Sequence, residues 1–381
     1  MKVLFLSNLF PDATQPNRGI YNARLVKHLA TQCEMRVVSP RPTRGIPPFW
    51  RPKEFTPRAE DAAFAPLFPP TAYIPKVGDR WNHKLMARSL RACLVALRAE
   101  FPFDAVLVSW IYPDACAVAE LAKEMNFRFV AVAQGSDTHH YLQMPTRRAI
   151  IAGALADASA IITRSNDLGC LLAGIGLARE KLHTIYNGVE TDVFRPGDKQ
   201  AARTALGLSQ DEAVLLYVGN LLPVKNPQLL LSVLTELRQK QSDKTFRLVM
   251  LGDGPLAEQI QSRAVANVSL VGRKPPEEVA RYMQAADVLC IPSNNEGVPN
   301  VALEALACGL PVVATAVGGI PEILSGALSC KLAKRGDAAD FASQLQTVLD
   351  VPGDPTALST HAHKFSWDKT ARAYLDLLRA E

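Results

Sequence analysis

Short apolar stretches of β character alternate with segments of helical periodicity along almost the whole chain, and that alternation leaves few folds open. The stretches fall at 3–6, 36–38, 105–108, 129–133 and 160–162, then at 214–218, 247–250, 268–271, 288–291 and 311–314. A strand that is apolar at successive positions has both faces covered, which is how a parallel sheet with helices on each side reads. The expected class is α/β with doubly wound sheets. One further pattern divides the chain in two: Phe5-Leu-Ser-Asn-Leu-Phe-Pro11 lines up with Tyr217-Val-Gly-Asn-Leu-Leu-Pro223. Each run reads as the first strand, and the turn after it, of its own Rossmann-like domain.

Turn residues over 186–196 precede a polar stretch and place the boundary after position 195. The first domain is then 1–195 and the second 196–364, with a last helix in 365–381 expected to pack back on the first. Two such domains are expected to face each other across a cleft, because ligands of doubly wound sheets bind outside the carboxyl ends of the strands.

A chain of 381 residues with 48% apolar and 21% charged side chains can bury roughly 75% of its unfolded surface. Its seven cysteines are scattered without C-x-x-C pairing, so they read as buried thiols of a reducing compartment, with no disulfide framework and no zinc site. The apolar run after Met1 is broken by Ser7 and Asn8, too soon for a signal-peptide core, and no run approaches the ~18 residues of a membrane span. A cytoplasmic location is expected.

The net charge of +5 is unevenly distributed. Residues 1–195 carry 24 basic and 17 acidic side chains, and the remainder 18 and 20, which is +7 against −2. Basic and aromatic residues do not interleave as in a nucleic-acid-binding motif, so no nucleic acid is expected. Much of the excess lies in the Pro-rich stretch 41–84, with Phe49, Trp50, Arg51, Lys53, Trp81 and Lys84. That stretch reads either as a long surface loop with some packed aromatics or as a patch resting on the anionic inner face of a membrane.

The segment 296–311 carries the strongest chemical pattern. Glu296 precedes a helix that Pro299 and Asn300 suit as a start, and Gly309 suits as the residue just past its end. Glu304 falls inside that helix, roughly 6 Å along the axis from Asn300 at ~1.5 Å per residue. A helix N-terminus presents unpaired N–H groups and a positive dipole end, so a diphosphate placed there leaves a ribose near Glu304 and a sugar near Glu296. A solvent-facing Glu304 and a loop-anchoring Glu296 are the alternatives.

Glu296, Gly297, Pro299, Glu304, Gly309 and Pro311 resemble the E-x7-E signature of family 4 glycosyltransferases, retaining enzymes of GT-B fold. Further matches follow in the family's order. Gly135-Ser-Asp137 resembles its HGSD, and Asn187-Gly-Val-Glu190 with Phe194-Arg-Pro196 its inter-domain NGVD segment. Gly219 with Lys225 resembles its phosphate loop, Gly252-Asp-Gly-Pro255 its G-x-G-P turn, and Phe365-Ser-Trp367 its closing FSW. The set is similar to group 1 glycosyltransferases of the polysaccharide and teichuronic-acid biosynthesis kind.

The resemblance implies a donor site made of Gly19, Asn220, Lys225, Gly252, Arg273, Glu296, Gly297, Val298, Pro299, Asn300, Val301 and Glu304. It implies catalytic roles for Glu296, Lys225 and Gln134, and places Asp137 on the acceptor side; Trp110, Tyr112, Pro113 and Asp114 follow a strand end and read either as lining that side or as packing residues. Lys225 and the N–H groups near Val298 to Val301 would stabilise the leaving diphosphate. Glu296 would hold the transferred sugar and Glu304 the ribose. No cofactor and no metal is implied, and the donor is a nucleotide sugar, expected to be UDP-linked. The acceptor is expected to be a glycan or a lipid-linked glycan of cell-surface polysaccharide.

Two positions depart from the family pattern. Asn220 stands where an Arg is usual and brings no charge to the diphosphate, so Arg18 or Arg273 is expected to supply it. Gln134 stands where a His is usual, and the usual Gly-Gly pair is Arg18-Gly19. These departures keep two alternatives open: a non-catalytic sugar-nucleotide-binding protein, and a sugar-nucleotide epimerase on the same fold.

Overall fold

The structure is a computed structural model, and it describes residues 1–44, 55–241, 243–263, 265–351 and 353–380. The chain divides into two compact units, Met1–Tyr186 together with the segment from Trp367, and Asn187–Ser366. The division falls earlier than position 195. Its reason is local: the Val189 N–H donates to the Phe365 carbonyl at 2.9 Å, and Asn187 Nδ2 donates to Asn300 Oδ1 at 2.8 Å, so the stretch after Tyr186 is tied into the second unit.

The first unit holds strands β1 (Lys2–Leu6), β2 (Glu34–Val38), β3 (Arg41–Arg44), β4 (Pro70–Tyr73), β5 (Ala105–Ser109), β6 (Arg128–Ala133), β7 (Ala160–Thr163) and β8 (Leu182–Thr184). Six of them form one sheet in the order β2-β1-β5-β6-β7-β8, and its pairings are parallel. Successive residues of β1 go to opposite faces: Leu4 and Leu6 join the core under the helices Asn82–Glu100, Cys116–Met125 and Pro145–Ala156. Val3 and Phe5 join the core under the helices Ile20–Leu29 and Trp367–Arg379. That two-sided burial is why the strands read as unbroken apolar runs. The last helix buries Trp367, Ala371, Tyr374, Leu375 and Leu378, a single stripe at helical spacing, and each large side chain so buried contributes ~1.5–3 kcal/mol.

The second unit adds β9 (Ala213–Val218), β10 (Phe246–Leu251), β11 (Val268–Gly272), β12 (Val288–Ile291), β13 (Val312–Thr315) and β14 (Lys331–Ala333) in the order β11-β10-β9-β12-β13-β14. The strand order reverses between β9 and β12, and in the first sheet between β1 and β5, which opens a crevice at the carboxyl ends of those strands. The repeated run is explained: β1 ends at Leu6 and β9 at Val218, so the aligned residues Ser7 to Pro11 and Gly219 to Pro223 are the turns leaving equivalent strands.

Four short strands went unread in the sequence. β8 and β14 are three residues each, and β3 pairs with β4 inside the Pro-rich stretch, which is therefore built around an anchored arginine. The buried Arg41 guanidinium donates to Asp12 Oδ2 at 2.8 Å, to the Phe10 carbonyl at 2.7 Å and to Ser39 Oγ at 2.7 Å. It also lies over the rings of Phe55 and Phe68. Burial lowers its pKa to about 10, opposed by the ion pair with Asp12. Phe49, Trp50, Arg51 and Lys53 lie outside the described residues.

All seven cysteines are free. Cys116, Cys290 and Cys308 are buried as expected, but Cys170 is exposed, on the outer side of the helix Asn166–Ala173. Among the described residues no helix is long and apolar enough to cross a membrane.

Candidate active site

In the second unit, three turns after neighbouring strands are stitched together. The Asn294 N–H, after β12, donates to the Val224 carbonyl after β9 at 2.8 Å, and Thr315 Oγ1, at the end of β13, donates to the Ser293 carbonyl. The Gly319 N–H donates to the Gly297 carbonyl at 2.7 Å. Gly318 has φ +52, and a Cβ there would sit 1.8 Å from the Glu296 carbonyl oxygen, so this closure tolerates no side chain.

At the junction Lys225 Nζ donates to both carboxylate oxygens of Glu296, each at 2.6 Å, and Ser293 Oγ donates to Glu296 Oε1 at 2.7 Å. The two residues are 71 apart in sequence; the Lys225 side chain is 31% exposed and that of Glu296 8%. The cation is thus the accessible partner, and the carboxylate lies beneath it. The helix Asn300–Ala307 begins next to this pair, with Pro299 as its N-cap and no side chain capping its first N–H groups. The Ala302 N–H donates back to the Pro299 carbonyl at 3.0 Å, and the start of a helix left without a side-chain cap is where an anion is best accommodated.

Glu304 is buried, 8% exposed, which removes the reading of a solvent-facing helix residue. Asn300 is engaged through its side chain by Asn187 and offers a ligand its backbone. Val298 is half-buried and Pro299 buried, while Gly297 and Val301 are partly exposed around the junction. On the adjoining strand ends, the Gly252 N–H donates to the Gly272 carbonyl at 2.9 Å and the Leu221 N–H to the Asp253 carbonyl at 2.7 Å. Arg273 reaches across these turns: Nη2 lies 3.5 Å from Asn220 Oδ1 while Nε pairs with Asp253 Oδ2 at 2.8 Å. Arg273 therefore brings a guanidinium beside the asparagine that lacks one.

The first unit holds a second group of expected residues, and here several roles change. Gly19 caps the helix Ile20–Leu29 with φ +64, and a Cβ would lie 2.2 Å from the Leu9 carbonyl oxygen. Its own turn therefore demands glycine, whatever a ligand needs. Arg18 Nε donates to the Asn8 carbonyl at 2.8 Å, so Arg18 serves the same turn. Asn8 in turn donates from its N–H and Nδ2 to the two oxygens of Asp114, each at 2.6 Å. Burial pushes the Asp114 carboxyl up to about 7, against those two hydrogen bonds.

Tyr112 and Asp137 do not line an open face. Tyr112 is 1% exposed, its hydroxyl donating to the Asp79 carbonyl at 2.7 Å beneath the Arg147 guanidinium, which itself pairs with the Asp79 carboxylate. Asp137 is fully buried and accepts from the N–H groups of Ile111, Gln134, Gly135 and Thr138, joining the ends of β5 and β6. Burial raises its carboxyl above the ordinary range, with those N–H groups opposing. Trp110 is half-buried at φ +103, a conformation costly outside glycine, and its ring meets Tyr141 edge-on. Gln134 turns its side chain inward to Asn22, Ser109 and Arg164. The sequence reading missed Ser293, Asp253, Asn22, Ser109 and Arg164 as site residues; each sits at or just after the end of a strand or on the first helix, and that position is the one signal that marks them.

Two family models match the chain, one described as Glycosyltransferase Family 4 over residues 19–193 and one as Glycosyl transferases group 1 over residues 198–365. Together they span both units. The chain belongs to the group 1 glycosyltransferases. A D-inositol 3-phosphate glycosyltransferase 2 of Catenulispora acidiphila is 33% identical over 286 residues, covering 70% of this chain and 65% of that protein. A D-inositol 3-phosphate glycosyltransferase of Saccharomonospora viridis is 37% identical over 218 residues, covering 53% of this chain and 51% of that protein. The chain thus spans about half to two thirds of the length of the curated relatives it matches. Among solved structures, Anabaena HepE in complex with UDP aligns with a TM-score of 0.75 at 17% identity, covering 99% of both chains. The same protein is also solved in complex with UDP-glucose. The fold of this group 1 glycosyltransferase is GT-B.

Proposed function

We propose that this chain transfers a sugar from a nucleoside-diphosphate donor, UDP-linked, to a hydroxyl acceptor with retention of configuration. The carrying observation is the Lys225–Glu296 pair held at 2.6 Å beside an uncapped helix N-terminus. A diphosphate arriving at that N-terminus competes with Glu296 for the Lys225 ammonium. As the donor bond breaks, negative charge grows on the leaving phosphate, where Lys225 and the helix N–H groups stabilise it. The Glu296 carboxylate, relieved of its lysine, then balances the positive charge growing on the sugar and accepts from its hydroxyls. Glu304, buried in the second turn of the helix, accepts from the ribose, and Arg273 supplies the charge that Asn220 lacks.

The acceptor reading is a glycan or lipid-linked glycan in cell-surface polysaccharide synthesis. The names of the relatives favour a second acceptor, a phosphorylated cyclitol. Exposed Val77 and Trp81, next to Lys76, Arg80 and Lys84, offer an apolar and cationic edge for peripheral contact with an anionic membrane on its cytoplasmic side.

Calorimetry with UDP and GDP on wild type and Glu304→Ala tests the donor reading. Absence of nucleotide binding by the folded wild type overturns it. Turnover across glycan and inositol-phosphate acceptors, with the anomeric configuration of the product read by NMR, separates the acceptors and tests retention. A folded protein that binds nucleotide but turns over no donor is instead a binding protein.

A further inference from the structure

Gln134 follows β6, and every polar atom of its side-chain amide is engaged. Its Oε1 accepts from Arg164 Nε at 3.3 Å, and its Nε2 donates to Ser109 Oγ at 2.6 Å and to Asn22 Oδ1 at 3.2 Å. Ser109 Oγ donates to the same Asn22 oxygen at 3.0 Å, and Asn22 Nδ2 donates to the Leu9 carbonyl at 2.7 Å. Asn22, Ser109 and Arg164 are buried, at 4%, 0% and 2% exposure. The relay therefore runs from the end of β7 across the ends of β6 and β5 to the turn after β1. It ends on the Leu9 carbonyl, the atom that comes so close to Gly19.

Arg164 is a costly residue to bury for this purpose. Among the described residues its Nη1 and Nη2 make no hydrogen bond of ordinary geometry, and the guanidinium carbon lies 5.7 Å from the centre of the Tyr374 ring. Burying a guanidinium whose terminal nitrogens are not hydrogen-bonded costs stability, whatever geometry it serves. The geometry here is the orientation of one amide. An amide flipped end for end would aim its NH2 at the Arg164 donor and its oxygen at the Asn22 oxygen, two repulsive contacts, so Arg164 selects one orientation.

We propose that Gln134 and Arg164 are positioning residues: their contact sets, through Asn22, the position of the Leu9 to Gly19 turn, and the Gln134 side chain does not touch the sugar. The proposal rests on the reading that the chain transfers a glycosyl group from a nucleoside diphosphate. A turn held in place by a buried relay acts on the alignment of reacting groups, where small displacements cost rate without costing affinity.

The test compares Arg164→Met, Gln134→Leu and the double variant, with Arg164→Lys as the conservative replacement that keeps a donor for Gln134 Oε1. In donor turnover, each single variant is expected to lose about tenfold in kcat with KM for the donor changed less than about twofold, and the double variant to lose no more than the worse single one. Arg164→Lys is expected to recover most of that loss. Additive losses, a loss confined to KM, or a folded Gln134→Leu as fast as wild type overturns the proposal. If Arg164→Met does not fold, Gln134→Leu and Arg164→Lys carry the same comparison. Failure of the donor reading is distinguishable, because wild type would then bind no UDP and turn over no donor. The relay is still tested in that case by thermal unfolding, in which the Tm losses of Arg164→Met and Gln134→Leu should fail to add; additive Tm losses overturn it.

Discussion

Replacing Lys225 by methionine removes the ammonium while keeping most of the side-chain volume, and the structure sets two separate magnitudes for the outcome. For stability, the pair is intermediate between a surface pair, worth ~0–1 kcal/mol, and a fully buried one, whose disruption costs ~3–5 kcal/mol. Lys225 is 31% exposed, so water screens it, but Glu296 is 8% exposed and keeps the Ser293 hydroxyl as a side-chain partner. A loss of about 1–2 kcal/mol follows, which at ~2–4 °C per kcal/mol for a unit of this size lowers Tm by roughly 2–8 °C. For rate, loss of one preorganised donor to the leaving group costs ~10²- to 10³-fold in kcat. The two effects separate in experiment: scanning fluorimetry reads the first and steady-state turnover of a UDP-sugar reads the second. Glu296→Gln serves as the companion, since an amide keeps a hydrogen bond to Ser293 without balancing charge on the sugar. A folded Lys225→Met that keeps more than about a tenth of wild-type kcat refutes the assignment of Lys225 to the leaving phosphate.

Glu304→Ala removes a buried acceptor, and with charge-assisted hydrogen bonds worth ~1.5–3 kcal/mol each, UDP affinity by calorimetry is expected to fall about 10- to 100-fold with the fold intact. Leu378→Ala cuts into the stripe by which the last helix packs on the first unit; a loss of ~2–5 kcal/mol in denaturant unfolding is expected, and a neutral result would contradict that packing. Asp114 titrates near 7 in the fold because burial raises it, far above an unfolded aspartate at ~3.9, so the native state holds the extra proton between those values. Stability from this group is present at acidic pH and is lost as pH rises from about 4 to 7; Asp114→Asn is expected to flatten that slope in Tm against pH, and superimposable profiles count against it.

The parallel sheets were legible because burial on both faces writes an apolar run that needs no partner to be recognised. The helix Asn300–Ala307 was legible for the same local reason, with Pro299 before it and Gly309 after it. Short strands such as Leu182–Thr184 were not, since three residues at a sheet edge carry too little pattern. In the Pro-rich stretch the burial of one basic residue was not legible: Arg41 lies inside against Asp12, a partner 29 residues away that only the fold brings to it. Tyr112 and Asp137 stand where an acceptor-facing motif is expected, yet both point into the packing of the first unit.

Local composition and spacing were enough to set the class of fold, the repeated strand-and-turn plan, and the residues that could meet a diphosphate and its ribose. Those properties follow from periodicity, capping and chemistry that each short segment carries by itself. The partners were decided only when the strands took their places in the sheets: Lys225 on Glu296, Arg273 beside Asn220, Asn8 on Asp114, Arg164 on Gln134. Each pair joins turns that leave different strands and lie far apart in sequence, so its geometry exists only once the strand order brings those turns together.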